Sequence, residues 1–139
     1  SLFIVIAPWH LRQPLILGFL PKDPYMTLDE LARGHCRPRK GTQDALAAAD
    51  IQQHLYLLPG WQLASPRQGI EKEFRFDDFH RTMAFVNAVA WIAHAEDHHP
   101  DMQIGYSSCH LHFSTHDVGG LSLNDFICAA RVEALLGRD

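Results

Sequence analysis

Three histidines stand where they could exchange protons. The run His94-Ala-Glu-Asp-His98-His99-Pro100 carries two adjacent imidazoles, and Thr115-His116-Asp117 follows, with His116 lying 17 residues beyond His99. An imidazole titrates nearer neutrality than other side chains, so it can both give and take a proton at working pH. Two neighbouring histidines and a third from elsewhere, with Glu96, Asp97 and Asp117 beside them, make the residue set of a small acid–base pocket. The same run has a plainer reading. His and Asp are common at helix ends, and Pro100 turns His99 away from helical geometry. A zinc site is a further reading. His94 and His98 have the spacing of one helical face, and His110 and His112 that of one strand face. Neither an HExxH run nor a cysteine cluster completes such a site, so no metal is expected.

The elements that must position these histidines follow from patterning. Asp77 or Asp78 can cap a long helix from about Phe79 to Asp97. Apolar residues cover most of its circumference, while His80, Asn87 and His94 recur every seven positions as a narrow polar stripe. Such a helix needs cover on more than one side, one face on the sheet and another on a partner subunit. Residues 100–105 read as a loop and Tyr106 to Thr115 as a strand, with Cys109, Leu111 and Phe113 inward and Ser108, His110, His112 and Ser114 outward. Gly119-Gly120 is a turn, and Leu121-Ser-Leu is short and extended. Ser122 or Asn124 can cap a last helix, about Asp125 to Leu136. A strand rises about 3.3 Å per residue, so the ends of the 106–115 strand lie roughly 30 Å apart. For His98, His99 and His116 to meet, the 100–105 segment must run back along that strand. Otherwise the third histidine comes from a neighbouring chain.

Upstream, Asp44 can cap a helix from about Ala45 to Leu57, stopped by Pro59-Gly60. Trp61-Gln-Leu63 opens a strand, Ser65 to Gly69 is a turn, and Ile70 to Phe76 alternates. Ile70, Phe74 and Phe76 share one face, and Lys72 is the misfit among them. Helix, two strands, helix, two strands, helix gives an α+β expectation: an antiparallel four-stranded sheet with three helices on one face.

The bulk numbers suit one modest domain. The chain has 139 residues, 47% apolar and 20% charged, with a formal net charge of −4. That balance is not the basic footprint of a nucleic-acid binder, and Arg37-Pro-Arg39-Lys40 reads as a solvated loop. The three cysteines, Cys36, Cys109 and Cys128, form no CxxC pair or disulfide framework, which fits a reducing, cytoplasmic setting. The apolar runs before residue 25 are broken by Pro8, His10, Arg12 and Pro14, too short to cross a bilayer and without a signal-peptide pattern. The character of the chain changes at Met26. Residues 1–25 are thus expected to be an extension from an upstream start, the alternative being a true extension packed on the body or on a partner. Residues 26–43 are expected as a leader loop and 44–139 as a single domain.

A resemblance sharpens these readings. His98-His-Pro100, Tyr106, His116 and Asp125 fall at the spacing of the pterin-4a-carbinolamine dehydratase signature. Pro59-Gly-Trp61, Glu71-Lys72, Phe74, Phe76, Phe79, Ala84-Phe85, Val89-Ala90, Thr115-His-Asp117, Gly120-Leu121, Asn124-Asp125 and Ala129-Ala130 resemble the same family. His35-Cys36 and Asn124-Asp-Phe-Ile127 are similar to its bacterial branch associated with phenylalanine hydroxylase. The similarity runs over about residues 42–135. There are departures: His94 stands where the family usually has an acid, and Cys36 lacks the second cysteine of the CxxC found in some bacterial members.

The resemblance implies a sheet-and-helix homodimer or dimer of dimers that needs no cofactor. The implied reaction is loss of water from 4a-hydroxytetrahydrobiopterin or a related pterin to give the quinonoid dihydropterin, recycling the cofactor of aromatic amino acid hydroxylases. Phenylalanine hydroxylase is the implied partner. His99 and His116 would be the principal proton-transfer groups, and His98 would bind or polarise the pterin. His98, His99, Pro100, Thr115, His116, Asp117 and Val118 would line it. Glu96 and Asp117 would set imidazole orientation, and Asp125 is either a first-turn helix residue or a substrate contact. The alternative role is non-enzymatic, as a dimerisation cofactor of a hydroxylase or a transcription factor, since relatives act in that way.

Overall fold

The computed structural model describes residues 26–64 and 68–137. The expectations for residues 1–25 and for the tip of the 65–69 turn lie outside the described residues. The elements are α1 (Leu28–Arg33), α2 (Ala48–Leu57), β1 (Gln62–Ala64), β2 (Gly69–Arg75), α3 (Phe79–Glu96), β3 (Asp101–Ile104), β4 (Ser108–Phe113) and α4 (Leu123–Leu135). The four strands form one antiparallel sheet in the order β1-β2-β4-β3. The α+β expectation therefore holds, with helices on the inner face of the sheet.

The inner face is set by alternation. Ile70 and Phe74 of β2 and Cys109, Leu111 and Phe113 of β4 are all buried. Against them packs α4, whose Phe126, Cys128, Ala129, Ala130 and Val132 are inaccessible. The two alanines let backbone approach backbone, so α4 is enclosed by the sheet, α3 and α1. Lys72 keeps its place on the inner face because its ammonium donates to Glu133 Oε1 at 2.6 Å and to the Pro59 carbonyl at 2.8 Å. It also lies 4.8 Å from the Phe74 ring centroid. The outer face carries Glu71, Glu73, His110 and His112, with His110 Nε2 3.0 Å from Glu71 Oε2. His112 is nevertheless buried, at 6% exposure; among the described residues its ring nitrogens have no hydrogen-bond partner, and Nδ1 lies 3.6 Å from Asp101 Oδ2. It lies over Gly69, where an added Cβ would stand 2.4 Å from its Nε2.

Four expectations are corrected. The 100–105 loop contains β3, the fourth strand, which runs back along β4 with Asp101 opposite His112. Its alternation is hidden in four residues, and as an edge strand it leaves Ile104 exposed. Leu121-Ser-Leu is not a strand: a single bridge joins Thr115 to Gly120, and α4 begins at Leu123. The leader holds a helix, α1, capped by Thr27, whose hydroxyl accepts from Glu30 N–H. Leu31 of that helix is buried in the core. Asp44 does not cap α2; it sits in a 3-10 turn, accepts from Lys40 N–H at 2.8 Å, and α2 starts at Ala48.

Asp78 caps α3 through Arg81 N–H, and Ser122 caps α4. Helix α3 buries Thr82, Phe85, Val86, Val89 and Ala93. Its opposite face, with His80, Asn87 and His94, is exposed and includes Trp91 at 70% exposure.

Candidate active site

The adjacent histidines are placed by how α3 ends. Asp97 is left-handed (φ 50°, ψ 46°), and its N–H reaches back to the Ala93 and His94 carbonyls. His98 N–H also bonds the Ala93 carbonyl, at 3.1 Å. The chain then reverses, and Pro100 leads directly into β3.

His98 is fixed on two sides. Its ring stacks on Phe113 at a centroid distance of 6.0 Å and an interplanar angle of 9°. Its Nε2 lies 2.6 Å from Asp125 Oδ1. A carboxylate only accepts, so Nε2 carries the hydrogen, and in the neutral ring the lone pair is on Nδ1. Among the described residues no group bonds Nδ1.

Asp125 is fully buried and saturated. Its Oδ2 accepts from Ser122 N–H at 3.0 Å and from the Thr115 hydroxyl at 2.7 Å. The first of these belongs to the capping box that starts α4. Of the two sequence readings of Asp125, the first-turn helix residue is the one seen: it closes the capping box of α4 and, fully buried, also bonds His98. Thr115 and Ser122 hydroxyls lie 2.7 Å apart, closing the network.

His98, Thr115, Asp97 and Asp117 line a cleft of about 290 Å³. The leader run Cys36-Arg-Pro-Arg39 and Asn124 also line it, the leader forming one wall. Three anchors hold that wall. Cys36 N–H donates to Glu96 Oε1 at 2.7 Å. Asn124 accepts from Arg37 N–H and Arg39 Nε–H at 3.2 and 3.1 Å and donates to the Arg37 carbonyl at 2.7 Å. Gly41 N–H reaches the Asp117 carbonyl at 3.2 Å.

Glu96 thus turns to the leader, not to an active-site imidazole. It also meets His35 at 3.1 Å and Arg131 at 3.8 Å. Burial alone would raise its pKa. The Cys36 N–H bond, with His35 and Arg131, outweighs that and holds it below the ordinary carboxylate value.

His116 opens the 3-10 turn His116–Val118 and is exposed. It lines a neighbouring cleft of about 530 Å³ with His112, Ser114, Thr115 and Gln68. Thr115 is common to both clefts. His99 is exposed at the start of the link into β3 and lines neither of these two clefts. Pro100 is half-buried beside it. Val118 faces a third, apolar cleft of about 340 Å³ with Leu46, Ile51 and Leu121. His94 stays outside, its ring 5.8 Å from Trp91.

Sequence reasoning missed the leader wall, because Arg37 and Arg39 read as solvated charge. It also took Cys36 to have no partner cysteine, whereas its Sγ lies 3.6 Å from Cys128 Sγ, across 92 positions. The Cys128 thiol pKa is pushed far up by that contact and then by burial. The available signal for the wall was Asn124, an uncharged polar residue beside Asp125 in the first turn of a helix whose next five residues, Phe126 to Ala130, are apolar.

Comparison with known proteins bears on what such a cleft is for. Residues 44–135 match the family model described as pterin 4 alpha carbinolamine dehydratase. A Stenotrophomonas maltophilia (strain K279a) protein, named provisionally as a pterin-4-alpha-carbinolamine dehydratase, is 54% identical over 105 residues, 76% of this chain and 90% of its own length. A Xanthomonas campestris pv. campestris (strain 8004) protein of the same provisional name is also 54% identical, over 76% of this chain and 89% of its own. Among solved structures, a Brucella melitensis transcriptional coactivator/pterin dehydratase superposes with a TM-score of 0.65 at 29% identity, covering 67% of this chain and 99% of that one. A pterin dehydratase-like RuBisCO assembly factor of the alpha-carboxysome gives 0.50 at 26%, covering 58% and 93%. Matched across its sheet, its long helix and the turn that carries His116, the chain belongs to the pterin 4 alpha carbinolamine dehydratase family.

Proposed function

We propose that this protein removes water from 4a-hydroxytetrahydrobiopterin or a related 4a-hydroxytetrahydropterin, giving the quinonoid dihydropterin. The observation that carries the reading is His98, oriented by buried Asp125 against Phe113 at the edge of a polar cleft. In the reaction the C4a–O bond breaks and the departing hydroxide takes a proton. The ring nitrogen beside C4a gives one up as the C4a–N double bond forms. The two protons balance, so two imidazoles of opposite protonation suffice. Positioned acids and bases of this kind contribute about 10²–10⁴-fold.

His99 and His116 are the principal donors and acceptors in this reading, with His98 holding or polarising the pterin through Nδ1. Thr115 and Asp117 line the ring, Pro100 fixes the backbone beside the histidine pair, and Val118 lies at its margin. The reading extends to recycling of the cofactor of an aromatic amino acid hydroxylase in the cytoplasm, with phenylalanine hydroxylase as partner. A homodimer or homotetramer would cover the exposed face of α3. The test is the decay of 4a-hydroxytetrahydropterin in the presence of wild type and of single alanine variants at His98, His99 and His116. Loss of acceleration in these variants is the expected outcome.

One observation favours a second reading. Trp91 is exposed on α3, and the two structural relatives are titled a coactivator/dehydratase and an assembly factor. A protein-binding role through α3 would survive substitution of all three histidines, whereas the dehydratase role would not.

A further inference from the structure

The leader wall of the cleft that His98 lines is basic and held in place. Arg37 and Arg39 flank Pro38, and all three line the cleft. Asn124, itself buried, bonds the backbone of Arg37 on both sides and takes the Nε–H of Arg39. Among the described residues, that clamp leaves the terminal N–H groups of both guanidiniums unused. Neither arginine forms an ion pair with a carboxylate of the described residues. Asp44 is the carboxylate whose field reaches Arg39, and its Oδ2 is taken by Lys40 N–H. The Arg39 pKa is lowered by burial and then by the charge of Arg37. Two like charges brought together on an anchored wall are stabilised by an anion between them.

Carboxylates line the same cleft: Asp97 and Asp117, with Glu96 turned to Cys36 N–H and His35. Carboxylates complement the N–H groups of an aminopyrimidinone edge, which every pterin carries. The cleft therefore carries both signs of charge, and its two arginines have no carboxylate ion-pair partner among the described residues.

We infer that Arg37 and Arg39 are specificity residues that select pterins whose 6-substituent ends in an anion, a carboxylate or a phosphate. This deepens the proposed function and rests on it. Arg39 is the more buried of the two, and its Nε–H is tied to Asn124. Arg37 is exposed, and its side chain has no bond to lose, so its replacement leaves the anchors of the leader in place.

The experiment is a fluorescence titration of the full chain with three stable pterins: 6-hydroxymethylpterin, pterin-6-carboxylate and 6-hydroxymethylpterin phosphate. An anionic probe is expected to bind at least about tenfold tighter than the neutral one, about 1.4 kcal/mol. A preference for only one of the two anionic probes supports the inference and identifies the anion. In Arg37→Gln, and more so in Arg37→Gln/Arg39→Gln, the ratio of affinities falls toward one, and lysine at both positions restores part of it. The preference also narrows as salt is raised. Equal binding of all three probes by wild type overturns the inference and leaves the pterin reading intact. A preference that persists in the folded double glutamine variant overturns it as well. Binding of none of the three overturns both.

Discussion

Asp125→Asn is the sharpest perturbation of the site, because the substitution keeps shape and changes one atom. Asp125 accepts from three donors: His98 Nε2 at 2.6 Å, the Thr115 hydroxyl at 2.7 Å and Ser122 N–H at 3.0 Å. Asparagine can serve only one side as an oxygen. The Ser122 N–H cannot rotate and the capping box needs an acceptor, so the amide oxygen goes to Ser122 and Thr115. The amide nitrogen then faces His98 and donates. His98 must answer with an unprotonated Nε2, which moves its hydrogen to Nδ1. All three charge-assisted hydrogen bonds become neutral ones, each weaker by about 1 kcal/mol, and relief from burying a charge offsets part of this, leaving a loss of about 1.5–3 kcal/mol. For a domain of this size that lowers Tm by roughly 5–10 °C. The larger consequence is chemical. Nδ1 no longer offers a lone pair to the pterin, and dehydration slows by about 10²-fold or more. Nitrogen-15 chemical shifts of labelled histidine report the tautomer, and thermal melts report the stability. An Asp125→Asn protein with Nε2–H retained at His98 and an unchanged Tm would refute the reasoning.

Other outcomes follow from single elements. At Asp97, a left-handed residue, alanine destabilises by about 1 kcal/mol relative to glycine, because only glycine takes that conformation without a Cβ penalty; chemical denaturation of the two variants measures it. The Lys72–Glu133 pair lies on the inner face, so Lys72→Met strands a carboxylate and costs about 3 kcal/mol, whereas Lys72→Met/Glu133→Leu recovers most of it. The lowered Glu96 pKa makes leader docking pH-dependent. The group is an acid with a depressed folded value, so its contribution is complete above the ordinary carboxylate pKa of about 4.3 and is lost as pH falls through the lower folded value. Hydrogen exchange at Cys36 N–H reads this directly: protection falls in acid, and Glu96→Gln removes the pH dependence.

The legible parts of the molecule were those with long periodic patterns. Helix α3 showed itself through Asp78, its apolar positions and the stop at Pro100. Strand β4 showed itself through Cys109, Leu111 and Phe113. Helix α4 was found through Ser122. Strand β3 was hidden, because four residues at a sheet edge carry too little alternation and Pro100 suggested a loop. Helix α1 was hidden because six residues are too few for periodicity, although Thr27 and Glu30 have capping-box spacing. At the site, the His98-His99 pair was legible from residue type and spacing. The role of Asp125 was half-legible: its helix position could be read, but the contact spanning 27 positions to His98 depends on how β4 and α4 pack. Glu96 seemed a neighbour of the histidines in sequence, yet helical geometry points it to His35 and Cys36. The basic wall was illegible, since Arg37 and Arg39 acquire meaning only when Asn124 clamps them across 87 and 85 positions.

Stopped-flow absorbance of 4a-hydroxytetrahydropterin decay tests the central claim most directly. Wild type, His98→Ala, His99→Ala and His116→Ala are compared with and without a chelator, after circular dichroism has established that each is folded. The account predicts acceleration by wild type that is indifferent to chelator and reduced by about 10²-fold or more in the histidine variants. Decay no faster than in buffer with folded wild type, or equal acceleration by all four proteins, would contradict it.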